Sequence, residues 1–123
     1  MNYSKKVMQH FLNPKNMGLM KNPDGVGKVG NPVCGDIMEV FIKVKNKKIS
    51  DIKFQTFGCV AAIASSSMIT ELAKGKTIEQ AKKLNYKEIS KNLKNLPSLK
   101  LHCSAMAIQA LKKAIEDFEK NGK

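Results

Sequence analysis

Between Asp36 and Lys45 every second residue is apolar: Met38, Val40, Ile42 and Val44 alternate with Glu39, Phe41, Lys43 and Lys45. A period of two is what a strand with one buried face requires, because successive side chains point to opposite sides of the backbone. Lys45 to Lys48 reads as a short polar turn, after which Ile52, Phe54 and Thr56 point one way while Asp51, Lys53 and Gln55 point the other. Two such strands on so short a turn fold back as an antiparallel hairpin. A lone hairpin is marginal in water, so the rest of the chain must cover its apolar face.

The cover is expected to be helical. Gly58 breaks the second strand, and Val60, Ile63, Ala64, Ser67, Met68 and Leu72 then recur at helical spacing up to a stop at Gly75. Thr77 to Leu84 reads as a capped helix with Glu79 in its first turn, and Tyr86 to Leu93 as a further short one. From about Lys100 to Glu119, a stripe of Leu101, Ala105, Ile108, Leu111, Ile115 and Phe118 suits packing on a sheet. Near the N-terminus Ser4 to Leu12 sets Val7, Met8, Phe11 and Leu12 on one face of an amphipathic arm that also carries Lys5, Lys6 and His10. Ser4 is its N-cap and Pro14 closes it. The stretch from Asn13 to Pro32 holds three of the four prolines and four of the eight glycines, so it is expected to be turn-rich, with at most one short strand near Gly27 to Asn31.

The expected fold is α+β, a small antiparallel β-sheet packed against several helices with a long C-terminal helix. Residues 1–123, 42% hydrophobic, suit a single domain with one core. No run approaches the roughly 18 uncharged apolar residues of a membrane span, nor does the N-terminus carry a signal peptide's apolar run. The chain is expected to be soluble and cytoplasmic, with no membrane partner.

A net charge of +12, from 22 Lys or Arg against 10 Asp or Glu, raises the possibility of a basic RNA-associated protein. All 22 cations are lysine. Without arginine, the usual bidentate reader of guanine, the composition argues against specific nucleic-acid recognition and for a solvated surface biased toward acidic protein partners.

Three cysteines, an odd number separated by 25 and 44 positions, suit reduced thiols better than a disulfide framework. Cys34 precedes the first long strand, Cys59 precedes a helix, and Cys103 lies in the first turn of the last helix. The partial positive charge of a helix N-terminus favours the thiolate, the form that binds metal and attacks sulfur. Asp36 lies two residues after Cys34, and His102 immediately precedes Cys103. Three thiolates with one carboxylate or imidazole make a four-ligand set for zinc or for a [2Fe-2S] unit. Taken singly, each cysteine reads equally as a small buried hydrophobe, while Asp36 alone reads better as a turn carboxylate and His102 alone as a hydrogen-bonded surface histidine. A thiol enzyme with Cys103 or Cys59 as nucleophile and His102 as base is a poorer fit, since adjacent helical residues point about 100° apart.

Several motifs together resemble the IscU/NifU-type iron-sulfur cluster scaffolds along nearly the whole chain. They are Tyr3-Ser4 with Val7-Met8 and Asn13-Pro14, then Cys34-Gly35-Asp36, then Phe57-Gly58-Cys59 with Ala62-Ile63-Ala64-Ser65-Ser66, and finally Leu96-Pro97-Ser98-Leu99-Lys100-Leu101-His102-Cys103-Ser104. The resemblance implies a non-enzymatic scaffold that assembles a transient [2Fe-2S] cluster from ferrous iron and desulfurase-derived sulfur. Cys34, Cys59 and Cys103 would be its cluster ligands, with Asp36 and His102 sharing the fourth position. It implies a cysteine desulfurase passing persulfide sulfur to Cys103, a ferredoxin supplying electrons, and apo acceptor proteins taking the cluster. Leu96, Pro97 and Lys100 match the stretch recognised by the family's Hsp70 chaperone, which works with a J-protein, although Ser98 and Leu99 stand where the family has Pro and Val. Val60 follows Cys59 where the family has Gly or Ala. The rival branch of zinc-dependent sulfur-transfer proteins typically has an insertion between the second and third cysteines and lacks the histidine before the third. This chain has His102 and no insertion. In the isolated protein either no metal or substoichiometric zinc is expected, since zinc accepts the same ligands.

Overall fold

The computed structural model describes residues 4–31, 36–58, 60–92 and 101–121, with only the backbone of residues 31, 36, 86, 90, 101 and 102. The elements run in the order α1 (Lys5–Leu12), β1 (Gly25–Asn31), β2 (Asp36–Lys45), β3 (Lys48–Phe57), α2 (Val60–Ala73), α3 (Ile78–Lys82), α4 (Tyr86–Asn92) and α5 (Leu101–Lys120). This is the expected α+β architecture: a three-stranded antiparallel sheet in the order β1-β2-β3, with helices against it.

Strand register follows the alternation. Met38 pairs with Val29 and Thr56, Val40 with Gly27 and Phe54, and Ile42 with Gly25 and Ile52, so these residues share one face. Met38, Val40, Ile42, Ile52 and Phe54 on that face are buried, and they join the apolar residues of α2 and α5 in one core. The helix α5 packs along β1 and β2, α2 lies on β3 and on α5, and α1 rests on α2. Phe41 points to the other face yet is also buried, opposite Val26 on β1 and Lys53 on β3, so alternation alone understates its burial.

Two glycines set how closely α5 approaches the sheet. A Cβ on Gly25 would collide with the carbonyl oxygen of Ala114, and one on Gly27 with the carbonyl oxygen of Ala110 and the amide of Ala114. Small residues on both sides bring helix and strand backbones together, and Asp117 Oδ2 accepts a hydrogen bond from Val26 N–H at 3.0 Å. The outer edge of β3 is occupied by the chain itself. Phe54 N–H donates to the Asn16 carbonyl and Gly18 N–H to the Phe54 carbonyl, at 3.0 and 2.9 Å. Further along that edge Ile49 N–H donates to the Lys76 carbonyl and Gly75 N–H to the Ile49 carbonyl, both at 2.8 Å.

Helix ends follow their sequence signals. Ser4 Oγ accepts from Val7 N–H at the start of α1, Thr77 and Gln80 form a reciprocal capping box at α3, and Gly75, at φ 86°, follows α2. Helix faces are less faithful to the pattern. In α1 the buried residues are Val7 and His10, while Leu12 is 74% exposed, because His10 is turned into a polar contact with α2. The helix α2 is buried on nearly every side from Ala61 to Thr70, with α1, β3 and α5 all packed against it, so a one-sided stripe understates its burial.

Candidate functional site

Strand register and helix direction bring Cys103 and the described residues that flank Cys34 and Cys59 to one rim of the sheet. Asp36 opens β2 opposite Asn31, the last residue of β1, and Cys34 belongs to the four residues joining them. Phe57 ends β3 opposite Ile37, so Gly58 leaves the sheet at this same end, followed by Cys59 and then α2 at Val60. Ala110 in α5 lies over Gly27 and Ala114 over Gly25, so α5 runs antiparallel to β1. Stepping back from Ala110 to Cys103 covers about 10 Å of helix, while Gly27 to Asn31 covers about 13 Å of strand. The first turn of α5 therefore stands beside the end of β1, at the rim where Asp36 and Gly58 lie.

Cys34 and Cys59 lie outside the described residues, as do Leu96, Pro97 and Lys100 of the proposed chaperone segment; the side chains of Asp36 and His102 are likewise undescribed. Cys103 is described and is the third residue of α5, as its spacing predicts, but its side chain is fully buried within the core. Read from sequence, it stands at an element boundary rather than in the core. The structure corrects this: α5 packs against α2 and α4, and Cys103 belongs to the core they share.

The rim is flanked by apolar side chains. Ile37 and Phe57, partners across β2 and β3, are 39% and 78% exposed on the outer face of the sheet. A cavity of about 770 Å3 lined by Asp24, Val44, Lys47, Ile78 and Phe118 lies at the opposite end, by the hairpin turn and the last turns of α5. It is remote from the converging motifs, and size alone does not make it the site.

Behind the rim, hydroxyl groups tie the helices together. Ser65 Oγ of α2 and Ser104 Oγ of α5 are 3.2 Å apart, both fully buried. Ser67 Oγ meets His10 Nδ1 at 2.6 Å and accepts from Lys15 N–H at 2.8 Å, and Thr70 Oγ1 donates to the Ser67 carbonyl at 2.7 Å. Burial lowers the His10 pKa from its usual 6.5, with Lys6 and Lys15 adding to the effect and Glu71 opposing it. Sequence reasoning missed these roles. Their one legible signal is three consecutive serines, which are poor helix formers, inside an otherwise apolar helix.

Residues 2–123 match the NifU-like N-terminal domain. The chain is 60% identical over 122 residues to the iron-sulfur cluster assembly scaffold protein IscU 1 of Archaeoglobus fulgidus, covering 98% of this chain and 80% of that protein. It is 50% identical over 123 residues to the iron-sulfur cluster assembly scaffold protein IscU of Rickettsia prowazekii, covering 97% and 93% respectively. In fold it superimposes on the N-terminal part of a NifU-like protein from Brucella abortus with a TM-score of 0.74, at 18% identity, over 95% of this chain and 94% of that one. With that match over residues 2–123 and relatives half or more identical to it, the chain belongs to the NifU-like N-terminal domain family.

Proposed function

We propose that this chain is an iron-sulfur cluster assembly scaffold that builds a [2Fe-2S] cluster as cargo and passes it to acceptor proteins, without itself being an enzyme. The carrying observation is the convergence, at one end of the sheet, of the described residues adjoining Cys34, Asp36, Cys59 and Cys103. Thiolates are soft ligands suited to iron and sulfide, whereas Asp36 offers a hard carboxylate that exchanges easily, which suits a site that must release what it holds. His102 is the alternative occupant of the fourth position.

Sulfur enters at Cys103 in this reading. Its thiolate attacks the outer sulfur of a persulfide on a cysteine desulfurase; the donor's S–S bond breaks, a new S–S bond forms on Cys103, and the donor leaves as a thiolate. Reducing that sulfur to sulfide takes two electrons, the role assigned to a ferredoxin. Ferrous iron arrives separately. Leu96, Pro97 and Lys100 would serve an Hsp70 chaperone and its J-protein during release. The cytoplasm, which keeps thiols reduced, suits this chemistry.

Anaerobic reconstitution with ferrous iron, cysteine, a desulfurase and dithiothreitol as the reductant tests the reading, through absorption spectra and iron and sulfide counts. Two irons and two sulfides per site are expected, lost on Cys34→Ser, Cys59→Ser or Cys103→Ser. Wild-type protein that gains no iron-sulfur absorption would refute it.

A further inference from the structure

Ser65 and Ser104 form a fully buried hydroxyl pair at 3.2 Å between two helices that each begin at a cysteine motif. Ser104 directly follows Cys103, and Ser65 lies in the second turn of α2, whose first residue follows Cys59. We infer that Ser65 and Ser104 are positioning residues, whose hydrogen bond fixes α2 against α5 and so sets the spacing between the Cys59 and Cys103 thiolates. The inference rests on the cluster-scaffold reading above.

Neighbouring positions show what the pair adds. Ala61, Ala62, Ala64 and Ala107 are fully buried beside it, so alanine is compatible with this region and the helices could pack there without hydroxyl groups. Contacts between such small apolar residues leave sliding and rotation cheap, because dispersion varies little along a smooth surface. A hydrogen bond is directional and weakens as its partners move apart or out of line, so even this long pair, at 3.2 Å, opposes both motions. Val60 is only about 7.5 Å along the helix axis from Ser65, and so short a helical lever passes any slip at Ser65 almost unchanged to the α2 start. Thiolate–metal distances near 2.3 Å tolerate errors of about 0.2 Å, so an ångström of slip would spoil a shared site.

A merely structural role and a positioning role separate in a double variant. Ser65→Ala or Ser104→Ala alone strands a buried hydroxyl and lowers stability, whereas Ser65→Ala/Ser104→Ala removes both polar groups and restores it. Wild type, the single variants and the double variant are titrated anaerobically with Co(II), reading thiolate-to-cobalt charge-transfer absorption, alongside urea unfolding without metal. The expected result is a double variant with wild-type unfolding midpoint but Co(II) affinity weakened about ten-fold, the scale on which groups outside the ligand set affect metal sites. Ser65→Thr, which keeps the hydroxyl, should retain most of the affinity. Wild-type affinity in the double variant would overturn the inference while leaving the scaffold reading intact; no thiolate band in wild type would overturn both. Should the double variant not fold, Ser65→Ala held folded by an osmolyte gives the same decision, weakened binding supporting the inference and unchanged binding overturning it.

Discussion

His10 Nδ1 and Ser67 Oγ lie 2.6 Å apart, 57 positions distant in the chain and buried between α1 and α2. Ser67 Oγ also accepts from Lys15 N–H, and which partner donates between Ser67 and His10 depends on the imidazole tautomer. One hydroxyl thereby fastens both the N-terminal helix and the segment that follows it to α2.

That contact makes stability depend on pH. Burial lowers the folded-state pKa of His10 below 6.5, helped by Lys6 and Lys15 and opposed by Glu71. The unfolded chain therefore binds a proton more readily than the folded one. Stability is full above pH of about 6.5 and is lost as pH falls toward the lowered folded value, with a slope of at most about 1.4 kcal/mol per pH unit. Urea midpoints from pH 8 to 5.5 should fall for wild type and flatten for His10→Gln. An unchanged slope in the variant would assign the titration elsewhere.

The close approach of α5 to β1 admits no side chain. Gly27→Ala drives a Cβ into the Ala110 carbonyl and Ala114 amide, rigid backbone that cannot swing aside. A loss of about 3–5 kcal/mol is expected, beyond ordinary overpacking. A melting temperature within a few degrees of wild type would contradict the packing.

Ser66 offers the opposite sign. Its hydroxyl is buried in α2 without a hydrogen-bond partner among the described residues. Ser66→Ala removes an unsatisfied polar group and improves helix propensity, so it should stabilise by about 1–2 kcal/mol. A lower urea midpoint in this variant would mean that the hydroxyl has a partner in solution.

How much of this was legible beforehand follows the range of the interactions. The β2–β3 hairpin was readable because alternation and a short turn are local signals, and the Ser4 and Thr77 caps because each acts within three residues. The burial of His10, the glycine contacts and the Ser65–Ser104 pair were not, since they join residues 57, 83 or more, and 39 positions apart. Their residue types carry no periodic mark. The order of the cysteine motifs was plain from sequence; the burial of Cys103 depends on the tertiary packing of α5, which no local pattern carries.

Burial gives Cys103 a testable reactivity. In a Cys34→Ser/Cys59→Ser protein, alkylation of this last thiol should be at least about 100-fold slower in buffer than in strong urea, because reagent must await local opening. Equal rates would show that the first turn of α5 stands open in solution. Sulfur delivery would then need no conformational step.

Asp36 is expected to govern release rather than assembly. On the proposed reading, in which Asp36 is the easily exchanged ligand, Asp36→Ala should lengthen the half-life of a reconstituted cluster several-fold and slow transfer to an apo-ferredoxin to a similar extent. The check is loss of absorption with and without acceptor. Unchanged rates would remove Asp36 from the exchange step.

The chain's own cover on the β3 edge limits how other proteins can engage it. Strand addition, by which many peptides join an open sheet, needs vacant amide and carbonyl groups, and those of Phe54 and Ile49 are already taken by Asn16, Gly18, Gly75 and Lys76. Visitors are steered away from backbone pairing there and toward side-chain contacts, which form and dissolve without unzipping a ladder. For a protein that must meet a donor and a recipient in turn, that favours brief encounters over entrapment.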